Sequence, residues 1–164
     1  MRIGVAWLQR SATGEVFSRF HAEAGIAAEH GFAPSFEDTR WREIADLYVM
    51  LERIDPSPLH TMNRAVVVAE WQGPDAGLAV LQAVAPPPWL ADSYLWAAVS
   101  ADLHRRAGHV AIAQSHRERA LAAAPTDAVR DLLRRRLDPT AEATPRPPLH
   151  RITPALVSGP DSSG

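Results

Sequence analysis

The chain of 164 residues has no cysteine. Disulfides, thiolate zinc sites, iron–sulfur clusters and a thiol nucleophile are therefore excluded together. It also has no lysine: all 17 basic residues are arginine. A Schiff-base amine and the ammonium of a phosphate-binding loop are excluded with it. Charge of one sign is not in excess, the formal net charge being −2. That argues against broad nucleic-acid binding, which needs a basic face. No apolar run approaches the roughly 18 residues of a membrane span. At the start, Gln9 and Arg10 interrupt the short apolar stretch after Arg2. No secretory h-region follows, and a cytoplasmic location is expected. What is present is the composition of an ordinary soluble domain, 46% apolar and 22% charged.

Proline marks the clearest boundary. Six of the 14 prolines fall between Pro139 and Gly164, where apolar residues are sparse and aperiodic. Such a stretch buries too little surface to offset its ordering entropy. The expected organisation is a helical domain over 1–138 and a disordered tail over 139–164.

Helical periodicity runs through the rest, and the β-branched cluster Val66-Val67-Val68 sits within it, beside Met62, Ala65 and Ala69. Val16, Phe17, Phe20, Ala24, Ala27 and Ala28 form a first apolar stripe, stopped at Gly31. Asp38 is the expected N-cap of a second helix carrying Trp41, Ile44, Ala45, Tyr48, Val49 and Leu51. Ser57-Pro58 opens a third helix, and Gly73-Pro74 breaks and restarts the chain before Leu78, Leu81 and Ala85. Pro86-Pro87-Pro88 predicts a stiff connector. Asp92 is then expected to cap a helix closed by Gly108. A partner helix with Val110, Ala113, Ala120 and Leu121 follows, stopped by Pro125. Asp127 is expected to cap a last short helix whose Arg134-Arg135-Arg136 reads as a solvated end suited to the helix dipole.

Short helices joined by short breaks predict an all-α fold of antiparallel helix hairpins. Such hairpins stack into solenoids, with a period of about 34 residues in tetratricopeptide (TPR) repeats. Between Tyr94 and Pro125, Gly108, Ala113, Ala120 and Leu121 stand where that repeat puts its turn and close-contact residues. Arg117 and Ala101 depart from it, and Leu59 to Pro86 matches less well, Ala79 being one residue out of register.

No catalytic constellation is present. There is no HExxH, phosphate-binding loop, dinucleotide fingerprint or nucleophile elbow. His104 and His109 straddle Gly108 and so are not expected to share a helix face. The seven histidines read as scattered surface residues, and neither metal nor cofactor is expected. Polar residues inside apolar frames carry more information. Asn63, Arg64 and Glu70 lie on a mostly apolar helix, and Asp102 lies between Val99 and Leu103. A buried arginine requires a carboxylate partner. Arg64 is expected to pair with Asp102 or with a carboxylate of the preceding helix, tying two hairpins together. The same groups, with Asp38 and the aromatic residues Trp41, Tyr48 and Trp71, would otherwise line a partner-binding groove.

Ordered blocks extend this reading. They are Ser35-Phe36-Glu37-Asp38-Thr39-Arg40-Trp41, Ile44-Ala45, Leu47-Tyr48, Pro56-Ser57-Pro58, Asn63-Arg64-Ala65-Val66, Ala69-Glu70, Gly73-Pro74, Gly77-Leu78, Ala101-Asp102-Leu103 with Arg106 and Gly108, Glu118-Arg119-Ala120-Leu121 and Leu133-Arg134-Arg135-Arg136-Leu137. Together, over roughly Gly4 to Leu137, they resemble the C-terminal TPR-like extension of bacterial extracytoplasmic-function RNA polymerase sigma factors. In that family a promoter-binding helical domain and a helix-turn-helix domain precede the extension. The chain carries neither, so the resemblance implies a detached extension. It implies protein–protein contacts in transcription initiation, with RNA polymerase or an intact sigma factor as partner and no direct reading of promoter DNA. A general TPR-like peptide-binding scaffold and a non-functional gene remnant are the alternatives; an enzyme is not expected.

Overall fold

A computed structural model describes residues 39–138 and residue 140. The expected helix around 15–28, the cap at Asp38 and nearly all of the proline-rich tail lie outside the described residues. Among those described, the regular structure is entirely helical. In chain order the helices are α1 (Trp41–Ile54), α2 (Pro58–Gln72), α3 (Pro74–Gln82), α4 (Pro88–Ala91), α5 (Tyr94–Arg106), α6 (Val110–Ala122) and α7 (Asp127–Arg136). None of them is long and apolar enough to cross a membrane.

The punctuation follows from residue chemistry. Pro58 and Pro74 occupy first-turn positions, where a missing N–H leaves no helical bond unmade. Gly73 links α2 to α3 with φ of 95°, a backbone conformation that disfavours a side chain. Two caps lie one residue from the expected ones. Ser93 rather than Asp92 caps α5, its Oγ accepting from the Trp96 N–H at 3.2 Å. Thr126 rather than Asp127 caps α7, its Oγ1 accepting from the Val129 N–H at 3.2 Å. Asp92 instead ends α4, a one-turn helix that begins at the last proline of the triple and does not cross it. Pro88 starts it because proline is barred from a helix interior but not from its first turn.

Burial confirms the main stripes. Ile44, Ala45, Leu47, Tyr48 and Leu51 of α1 pack with Val67 and Val68 of α2. A second cluster joins Met62, Ala65, Val66 and Ala69 of α2 to Leu78 and Leu81 of α3, Leu90 of α4, and Val99 and Leu103 of α5. A third joins Ala97, Ala98 and Ala101 of α5 to Ala120, Ala124, Leu133 and Leu137. All three valines of Val66–Val68 are buried, since α2 is enclosed on two sides. Val110 departs from expectation, being 75% exposed; it sits at the start of α6, while Ala113 and Ala120 make the buried contacts. Ala85 is exposed beyond the end of α3.

Small residues set the closest helix approach. A Cβ at Gly77 of α3 would stand 2.6 Å from both the Ala65 carbonyl oxygen and the Ala69 Cβ of α2. The stacking of α3 on α2 therefore requires glycine at that position.

Candidate functional site

Helix α2 presents polar groups toward two neighbours. Toward α1, the Arg64 Nε donates to Glu52 Oε1 at 3.0 Å and Oε2 at 3.1 Å. Of the two partners expected for Arg64, the carboxylate of the preceding helix is the one found; Asp102 does not pair with it. Toward α5, Glu70 Oε1 accepts from Arg106 at 2.6 Å. The other terminal nitrogen of Arg106 donates to the Ala69 carbonyl at 3.1 Å. Asp102 completes this second cluster, accepting from Arg105 at 2.8 Å and lying 3.7 Å from Arg106. Arg106, not Arg64, is thus the cation that joins α2 to α5.

Burial governs the electrostatics of that cluster. The Glu70 pKa is raised, first by desolvation of its carboxylate. The charge and hydrogen bond of Arg106 pull it the other way, and the charge of Asp102 adds to the rise. Desolvation outweighs the ion pair because the pair lies in the seam between packed helices, where the anion is only partly reached by water.

The aromatic candidates divide by exposure. Tyr48 is buried in the α1–α2 cluster and Trp41 packs half-buried against it. Trp71 is 42% exposed, with the Arg42 guanidinium 5.9 Å from its ring centre. Asn63 is half-buried on α2. The described candidate residues thus do not converge on one cleft. Asp38 lies outside the described residues; Arg64 and Glu70 are engaged with neighbouring helices, Asp102 with two arginines of its own helix, and Tyr48 is core.

A cluster that sequence reasoning missed lies at the α5–α6 turn. His104 Nδ1 and His109 Nδ1 are 3.1 Å apart. The His116 ring lies parallel to that of His104, to within 2°, at 5.6 Å between centres. The pKa values of His104 and His116 are lowered, chiefly by burial, with like charges nearby adding to the effect. Both rings are held toward the neutral form. Among the described residues no group of three or more His, Asp or Glu side chains is arranged to hold a metal ion.

The chain is 34% identical over 119 residues to an uncharacterized protein of Rhizobium meliloti (strain 1021). The match covers 73% of this chain but only 28% of that relative. No protein-family model matches the chain, and no solved structure matches it. The chain therefore spans little more than a quarter of the length of the relative it matches, and the similarity carries no stated activity with it.

Proposed function

We propose that this chain is an interaction module built of TPR-like helix pairs, equivalent to the C-terminal extension of an extracytoplasmic-function sigma factor, and that it acts through protein contacts in transcription initiation. The observation that carries this reading is the ordered run of sequence blocks from Ser35 to Leu137. Two structural features support it. Consecutive helices pack as pairs across short turns, α1 on α2, α2 on α3 and α5 on α6. Small residues stand at close approaches, Gly77 against Ala65 and Ala69 in one pair, with Ala113 and Ala120 buried on α6. Repeat proteins use such pairs to build extended surfaces rather than enclosed active sites. The relative's greater length is compatible with a module that works as one part of a larger protein.

Purified chain, immobilised and exposed to core RNA polymerase and to a full-length sigma factor from the same cell, tests the reading. Saturable binding to either supports it, with competition by free chain. If neither is retained while the chain is folded by circular dichroism, the transcription-linked reading is wrong and the general peptide-binding scaffold replaces it.

A further inference from the structure

The α5–α6 turn holds two imidazoles in a fixed relation that the proposed module does not use. Helix α5 ends with Gly108 at φ of 79°. The Gly108 N–H donates to the Arg105 carbonyl at 3.1 Å and the His109 N–H to the His104 carbonyl at 2.8 Å. These two bonds define a Schellman motif, whose geometry brings together the side chains three residues before the cap and two after it. An apolar contact between those side chains frequently accompanies the motif. Here they are His104 and His109, and their Nδ1 atoms meet at 3.1 Å.

We propose that His104 and His109 form a two-nitrogen chelate for a divalent transition-metal ion of the copper(II)–nickel(II) type, with water in the remaining coordination positions. With nitrogen–metal bonds of about 2.0–2.1 Å, two nitrogens 3.1 Å apart subtend about 95–102° at the ion. That range lies between the right angle of adjacent tetragonal or octahedral positions and the wider tetrahedral angle, so the choice of ion rests on ligand chemistry. In the metal-free pair one ring donates its Nδ1–H to the other. Shifting that ring to the Nε2–H tautomer frees both Nδ1 lone pairs, with no proton released while both rings are neutral. His109 is exposed, so an ion and its waters have access. His116 supplies no ligand atom; its ring backs that of His104 at 5.6 Å. Metal selection rests on imidazole ligation, which follows copper(II) above nickel(II) and above manganese(II), with magnesium excluded by its preference for oxygen.

The test is calorimetric titration of the full chain with copper(II), nickel(II), zinc(II) and magnesium(II) chlorides near pH 7.5 in a non-coordinating buffer. The expected result is one saturable site for nickel(II) and a tighter one for copper(II), with no response to magnesium. H109A, an exposed change that leaves the fold intact by circular dichroism, should weaken that site about tenfold or more, since losing one of two protein ligands removes the chelate. H104A should do the same, while H116A should alter the affinity less than about threefold. Nickel(II) should also raise the melting temperature of the wild type and not that of H109A, because only the folded turn holds the chelate. Binding by H109A equal to the wild type, loss of binding in H116A, or no saturable site below about 100 µM nickel(II) would each overturn the assignment.

Discussion

The backbone N–H of His109 donates to the carbonyl of His104 at 2.8 Å, and the same turn sets their Nδ1 atoms 3.1 Å apart. Two residues on either side of a glycine that ends one helix and precedes the next thus become neighbours. They are joined by the turn rather than by a shared helix face.

Gly108 should be sensitive to substitution for a purely conformational reason. A Cβ there would meet nothing within 4 Å, yet φ is 79°. Gly108→Ala should therefore lower stability by about 1 kcal/mol, and Gly108→Asn by less, since asparagine tolerates the left-handed region. Urea denaturation of the three proteins checks the order.

Gly77→Ala tests packing in place of conformation. Alanine would gain about 1 kcal/mol of helix propensity over glycine. Its methyl group, however, would stand 2.6 Å from the Ala65 backbone oxygen, which cannot move aside without moving α2. Overpacking of that kind costs about 1–3 kcal/mol, so the net effect should be destabilising. The exposed Ala79 on the same helix gives the control: Ala79→Gly should lose only the propensity difference.

The helical class and most core residues were legible because burial and the 3.6-residue period coincide. On α1, Ile44, Ala45, Tyr48 and Leu51 are read from spacing alone and all are buried. Caps were less legible because adjacent residues compete: Asp92 and Ser93 are both good caps, and the turn of α4 decides between them. Val110 was misread because a helix's first residue can continue a periodic stripe and still extend past its partner. The cation joining α2 and α5 was not legible, since Arg64, Arg105 and Arg106 differ only in where tertiary packing sends them. The histidine pair was missed because helix-face reasoning ends at the helix, whereas the Schellman turn folds His109 back onto the last turn of α5.

Arg64→Ala should lower stability modestly, by about 1–2 kcal/mol. The pair with Glu52 is partly shielded but still reached by water, the side chains being 23% and 19% exposed. That places it between a solvated ion pair and a fully buried one. Glu52→Gln in the same background should recover part of the loss by removing the unpaired charge. A partner-binding role for Arg64 predicts something else: binding lost in Arg64→Ala and not regained with Glu52→Gln.

Glu70 should give the protein a pH dependence opposite in sign to that of an ordinary paired carboxylate. Its pKa is raised in the folded chain, first by desolvation and in spite of Arg106. A carboxylate with a raised folded pKa favours the folded state most when protonated. Its contribution is full below its unfolded pKa of about 4.3 and is lost as pH rises through the higher folded value. The stability of the wild type relative to Glu70→Gln should therefore improve as pH is lowered from 7 toward 4. A carboxylate held down by its arginine would make it worsen. At pH 7 Glu70→Gln should cost little, because the amide oxygen still accepts from Arg106 without a desolvated charge. Arg106→Ala should cost about 2–3 kcal/mol, somewhat below the penalty for a fully buried pair, since it strands the Glu70 carboxylate in the α2–α5 seam. Adding Glu70→Gln to Arg106→Ala should restore part of that loss. Urea denaturation of the four proteins at pH 7 and pH 4.5 reads all of these terms, and a wild-type advantage that shrinks on acidification would show that Arg106, not burial, sets the charge of Glu70.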